Sequence, residues 1–179
     1  PPRPADRHVA GQWVGPGFVD IHVRGGAGAD FTTGSSEQAR RIVALHRRHG
    51  TTTMLASLVT ADVETMAASI DALAGLVDEG ELAGIHLEGP FLAPTRRGAH
   101  DAGLLRVPEP DVVDRLVSAG PTRVRMVTLA PEQPAAIDAV RRLVDFGVVV
   151  AVGHTDATYD QTRAAIDAGA AVGTHLFNA

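Results

Sequence analysis

The sequence predicts an α/β fold, an incomplete TIM-type (β/α)8 barrel of about six strands, and three observations carry that prediction. Short β-branched apolar runs alternate with longer stretches of helical period, the rhythm of a parallel sheet wound with crossover helices. A glycine closes most of the helical stretches, so the repeated unit is strand, loop, helix, glycine, strand. Polar side chains gather at strand C-termini, with His22, Glu88, His154 and His175 each at or near the end of a different strand, which is where barrel active sites are assembled. A doubly wound sheet would instead gather ligands at one switch point beside a glycine fingerprint, and Gly26 to Gly28 lacks the full pattern.

Taken in order, the first strand is expected over residues 17–23. Ser35 with Gln38 resembles a capping box, Ala39, Ile42, Val43 and Leu45 form the buried stripe of the first helix, and Gly50 stops it. The second strand, 51–59, leads into a helix from about Asp62 to Asp78, in which Val63, Met66, Ala67, Ile70, Leu73, Ala74 and Val77 share one face. The third strand, 83–88, ends on Glu88. A shorter helix near Asp111 to Ser118 stops at Gly120, and the fourth strand covers 124–130. Pro134 to Phe146 presents Ile137, Val140, Leu143 and Val144 as a helix before the fifth strand, 148–154. A last helix, Tyr159 to Ala168, precedes the sixth strand, 171–177. Most strands are apolar throughout, as expected where helices cover one side and packed side chains fill the other.

Composition prunes the chemistry. In 179 residues, an apolar content of 45% suffices for a core, and a net charge of −5 offers no basic face for nucleic acid. No apolar run approaches a membrane span, and Pro1 to Val14 lack a secretory pattern, so neither membrane nor nucleic acid is an expected partner and the cytoplasm is the expected compartment. With no Cys, a metal must be held by His, Asp or Glu. All sixteen cationic side chains are Arg, which excludes a Schiff-base lysine and the lysine of a phosphate-binding loop.

Glu88 closes the run Gly84-Ile85-His86-Leu87-Glu88, and strand parity points His86 and Glu88 to the same side. A buried carboxylate there needs a cation, either an Arg in a structural ion pair or a metal. His154 and His175 end two further strands. One Glu with two His is an open zinc-type set that leaves a position for water or substrate. The sequence does not choose among zinc, iron, cobalt, nickel and manganese. His86 is expected as a packed supporting residue, Arg96 and Arg97 as hydrated surface, and Asp156 as the cap of the last helix.

The strings PGFVDIHV, GIHLEGPFLAPTRRGAHD, VTLAPE, VGHTDATYDQT and GTHLFNA resemble, in order and spacing, the barrel motifs of N-acetylglucosamine-6-phosphate deacetylases within the amidohydrolase superfamily. HLEGPF followed by GAH is the most discriminating stretch. The resemblance runs from Gly15 to Ala179 and implies a metal-dependent hydrolase of (β/α) barrel fold that removes acetate from N-acetylglucosamine 6-phosphate. It implies Glu88, His154 and His175 as ligands of one divalent metal, zinc first. Ala99, His100, Asn178 and Ala179 fall on positions that contact the amino-sugar phosphate. A homodimer is the implied assembly of the complete enzyme.

The sequence departs from that family in two places. Members with two metals carry His-x-His where this chain has His22-Val23-Arg24. A guanidinium has no lone pair to offer and repels a second cation, so one metal is expected, with His22 as the candidate for a second site. The family also continues for two more barrel strands, which carry an Asp that acts as general base and acid. The chain is therefore expected to be incomplete, with its catalytic Asp beyond Ala179 and no turnover by itself. Residues 1–14 are expected as the remnant of an N-terminal β segment and 15–179 as the partial barrel. Two alternatives stay open: an amidohydrolase for another acylated amine or a cyclic amide, and a non-catalytic remnant that binds metal or sugar phosphate.

Overall fold

The computed structural model describes residues 10–11, 13–32 and 35–178. Most of the expected N-terminal remnant, including Gln12, and the candidate contact Ala179 lie outside the described residues. Trp13 and Val14 form no strand. The elements run β1 (Phe18–Val23), β2 (Gly25–Gly26), β3 (Ala29–Asp30), α1 (Ser36–Arg48), β4 (Thr51–Val59), α2 (Val63–Asp78) and β5 (Gly84–Glu88). They continue with α3 (Pro110–Ala119), β6 (Val124–Leu129), α4 (Ala136–Asp145), β7 (Val149–Val152), α5 (Tyr159–Asp167) and β8 (Val172–Gly173).

Six strands pair in the order β1-β4-β5-β6-β7-β8, every neighbour parallel and, apart from the separate β2–β3 ribbon, every neighbour the next strand in sequence. That order excludes a doubly wound sheet, whose strand order reverses at a switch point. Side-chain contacts show the curl. In a flat sheet, five spacings of about 4.8 Å would hold β1 and the end of β8 about 24 Å apart. The rings of His22, in β1, and His175, just past β8, nevertheless lie 4.9 Å apart. The sheet is thus bent into an arc whose concave side collects these histidines.

Helices α1 to α4 bury most of the apolar stripes that their spacing defines, among them Ile42, Val43, Met66, Ile70, Leu73, Val113, Leu116, Val140 and Leu143, whereas Val144, expected on the α4 stripe, is 40% exposed. Each such side chain removed from water contributes roughly 1.5–3 kcal/mol. Ser35 accepts from the Gln38 N–H, Asp62 accepts from the Thr65 N–H, and α5 opens with a full capping box between Thr158 and Gln161. The expected cap Asp156 is therefore corrected: Thr158 holds that position, and the Asp156 carboxylate accepts from Thr95 and Arg96 instead.

The last two strands are shorter than expected. β7 ends at Val152 rather than residue 154, and β8 is two residues rather than seven. His154, His175 and Phe177 have φ of 51°, 54° and 65°, a left-handed conformation that cannot continue a strand. The sequence pattern also gave no sign of the β2–β3 ribbon that follows β1. None of the described helices is long and apolar enough to cross a membrane.

Candidate metal centre

Glu88 ends β5 with no exposed surface. Its Oε1 lies 3.0 Å from His154 Nε2 and 2.9 Å from His175 Nε2. Its Oε2 lies 3.2 Å from His22 Nε2, 3.7 Å from His100 Nε2, and in a close ion pair with Arg24 Nη2. The cation demanded by burial is thus present within the chain. Arg24 satisfies one oxygen, and the other faces two imidazoles.

Beneath this carboxylate, polar groups are joined across the sheet. Ser57 Oγ meets His86 Nδ1 at 2.9 Å, His86 Nε2 meets Thr128 Oγ1 at 2.8 Å, and Thr128 meets Thr174 at 2.9 Å. His86 and Glu88 do share a face, since both approach His22. Both ring nitrogens of His86 are committed, and burial, followed by the neighbouring His22, lowers its pKa to about 3. It is a neutral, packed support, as its position in the strand suggested.

Burial acts to raise the Glu88 pKa, but the imidazoles of His100, His154 and His22 outweigh it and hold the carboxyl well below the usual range. The same contact with Glu88 raises His154, against the opposing effect of burial.

Two features fit a divalent cation. His154 Nδ1 lies 2.9 Å from the Arg96 carbonyl. A carbonyl only accepts, so Nδ1 carries the proton, and in the neutral ring Nε2 presents a lone pair to Glu88 Oε1. Two acceptors facing each other at 3.0 Å require a proton or a cation in common. His22 Nε2, in turn, is buried with no well-aligned hydrogen bond, its nearest acceptor being Glu88 Oε2 at 3.2 Å. Among the described residues, two groups have ligand atoms close enough for one ion, His22 with Glu88 and His175, and Glu88 with His100 and His154, so the expected set of Glu88, His154 and His175 is divided between them. Both include Glu88, and nitrogen with carboxylate oxygen suits zinc and its first-row neighbours.

Of the expected substrate contacts, His100 is buried at 3% exposure, with Nδ1 2.8 Å from Thr60 Oγ1. Ala99 is exposed beside it. Asn178 donates its N–H to the His175 carbonyl and lines a cavity of ≈ 850 Å³ together with Arg96, Gly98, His154, His175 and Phe177. Sequence reasoning missed the approach of His100 to Glu88. It also missed the partners of Arg96 and Arg97. Arg96 pairs with Asp156, and Arg97 donates to the His100 carbonyl. The HLEGPF and GAH strings stand only a few residues apart, but nothing in their spacing shows that the loop between them folds back over β5.

The amidohydrolase family model matches residues 13–179. This chain belongs to the amidohydrolase family. N-acetyl-D-glucosamine-6-phosphate deacetylase from Mycobacterium smegmatis superposes with a TM-score of 0.93 at 54% identity, over 99% of this chain and 47% of that one. An N-acetylglucosamine-6-phosphate deacetylase of Lysinibacillus sphaericus is 33% identical, over 94% of this chain and 45% of its own. An N-acetylgalactosamine-6-phosphate deacetylase of Escherichia coli O157:H7 is 36% identical, over 91% and 44%. This amidohydrolase chain thus spans about half the length of the relatives it matches. Its six strands are an arc of their TIM-type barrel.

Proposed function

We propose that the protein carrying this chain hydrolyses the acetamide of an N-acetylamino-sugar 6-phosphate, N-acetylglucosamine 6-phosphate first, releasing acetate and the free amine. The observation that carries the reading is the convergence of His154 Nε2 and His175 Nε2 on one oxygen of a buried glutamate at the mouth of a barrel. The kinship to deacetylases supports the substrate class.

Glu88, His154 and His175 would hold one divalent ion, zinc first and iron, cobalt, nickel or manganese as alternatives. When bound, such an ion supplies a Lewis acid that lowers the pKa of a water and polarises the amide carbonyl. Glu88 supplies the countercharge, and the Arg96 carbonyl holds His154 in the tautomer that leaves Nε2 free to ligate. Ala99, His100, Asn178 and Ala179 are proposed to orient the sugar phosphate, which matters because misplacement of reacting groups costs rate steeply. The proton carrier is proposed to be an Asp outside these 179 residues. A cytoplasmic homodimer that meets neither nucleic acid nor membrane completes the reading.

Arg24 limits the ion count. Its guanidinium occupies Glu88 Oε2, the oxygen nearest His22, where a second ion would meet a fixed positive charge. Elemental analysis of the protein should give one equivalent of metal, and Arg24→His should raise the count towards two. Two equivalents in the unaltered protein would defeat the single-ion reading.

The galactosamine relative at 36% identity favours a second reading, in which the substrate is the 4-epimer. Acetate release should be assayed on both 6-phosphates, on unphosphorylated N-acetyl sugars, on acylated amino acids and on cyclic amides. Preference for either 6-phosphate supports the class and chooses the epimer. Preference for an unphosphorylated substrate moves the protein to another amidohydrolase activity, and no turnover of any of them by the whole protein leaves a binding remnant.

A further inference from the structure

We propose that Asp156 and Glu132 are positioning residues, a pair of carboxylates that clasp the backbone around His154 and fix which imidazole nitrogen faces Glu88. The inference rests on the metal reading above and adds how the chain orients its own ligand.

His154 has φ of 51°. For a residue with a β-carbon, a left-handed backbone persists only where its surroundings over-determine it. Those surroundings come from two loops. Glu132, after β6, accepts from the Thr155 hydroxyl at 2.5 Å and from the Asp156 N–H at 2.6 Å, tying down the two residues that follow His154. Asp156 accepts from the Thr95 hydroxyl and the Arg96 Nε–H, joining the same segment to the turn after β5. The Ala93 N–H completes the clasp on the His154 carbonyl at 3.0 Å.

The consequence falls on the ring. Clasped in this way, the turn presents the Arg96 carbonyl 2.9 Å from His154 Nδ1, which assigns the proton to Nδ1 and leaves Nε2 on the side of Glu88. The acceptor is a backbone atom, so no side-chain substitution deletes it. What a substitution at Asp156 or Arg96 changes is where that carbonyl sits. The Arg96–Asp156 pair has 50% and 39% of its side-chain surface exposed, and exposed pairs add little to folding stability. The clasp should therefore act on ligand orientation and leave the fold nearly unchanged.

The test uses Asp156→Ala and, from the other side of the contact, Arg96→Gln, which keeps the carbonyl. Zinc affinity is measured by chelator competition, solvent exchange of the His154 Nδ1 proton by NMR in the metal-free protein, and folding by urea denaturation. Both variants should bind zinc about 10- to 100-fold more weakly, the range seen when partners of metal ligands are removed. Both should exchange the Nδ1 proton faster and keep the urea midpoint of the unaltered protein. Zinc affinity indistinguishable from the unaltered protein, with the Nδ1 proton equally protected, overturns the proposal. So does a loss of affinity that only tracks a loss of folding. If the unaltered protein takes up neither zinc nor iron, cobalt, nickel or manganese, the metal reading fails, and the exchange measurement alone still decides the clasp.

Discussion

A buried carboxylate has to be matched by positive charge, and Glu88 divides that demand between its two oxygens. Arg24 serves one, and His154 and His175 face the other. The titrating groups around it set how stability depends on pH in the metal-free protein. His86 is lowered from 6.5 to about 3. Its contribution is complete above pH 6.5 and is lost as pH falls, because the unfolded chain takes up a proton that the folded one refuses. Glu88 is lowered from 4.5 and adds its own loss below that value. His154 is raised from 6.5, so its contribution is complete below pH 6.5 and is lost as pH rises through its higher folded value. Between pH 6.5 and 4.5 the slope belongs to His86, about 1.4 kcal/mol per pH unit at most. Urea denaturation across that window should show the slope, and His86→Asn should flatten it. An unchanged slope in the variant would remove His86 as its cause. At the neighbouring Gly89, φ is 92° and an added Cβ would lie 2.2 Å from Thr60 Oγ1. Thr60 in turn contacts His100 and the Glu88 carbonyl. Gly89→Ala should cost roughly 1–3 kcal/mol from strain and displacement, and it should weaken zinc binding in the same preparation.

At the scale of elements, the termini carry the information. β7 and β8 stop two residues before their histidines, so each imidazole is carried on a left-handed turn rather than on the sheet. Apolar patterning marks where these strands begin, but the left-handed backbone at His154 and His175, which that patterning does not mark, sets where they end. Helix α5 shows the reverse case. Thr158-Tyr159-Asp160-Gln161 is a complete local capping signal, readable without any fold, and it sets the helix start more firmly than Asp156 two residues earlier. Thr158→Ala should lower stability by about 1 kcal/mol, read by urea denaturation. Asp156→Ala should leave helix content by circular dichroism unchanged, since Asp156 bonds to Thr95 and Arg96 and not to α5. A loss of helicity in Asp156→Ala would restore it as a cap.

For the molecule as a whole, the two ends of the sheet matter most. β1 and β8 are its outer strands, and unpaired backbone along such edges invites pairing with another chain. Phe18, Val19, Leu176 and Phe177 are among the exposed large apolar side chains near those edges, with Phe18 at 70% and Leu176 at 70%. Exposed apolar area on this scale favours association. Expressed as these 179 residues, the chain should self-associate in sedimentation velocity. It should also release no acetate from N-acetylglucosamine 6-phosphate with zinc supplied. A stable monomer that turns the substrate over, with activity lost in His154→Ala, would place the whole catalytic apparatus within this chain.

What the sequence by itself determined is whatever depends on local pattern. The alternation of β-branched runs with helical stripes, closed by glycines, specifies parallel strands and crossover helices, and chain order then gives the strand order. Parity in β5 alone places His86 and Glu88 on one side. The motif strings were enough to gather Glu88, His154 and His175 as one candidate set. Only the tertiary structure decided the rest: that Arg24 takes one oxygen of Glu88, that His100 lies behind the same carboxylate, and that Arg96 and Asp156 meet across 60 residues of sequence. Those contacts depend on how far the sheet curls and on how the loops after β5, β6 and β7 fold over one another. Such distances arise from the packing of the whole chain, and no local spacing encodes them.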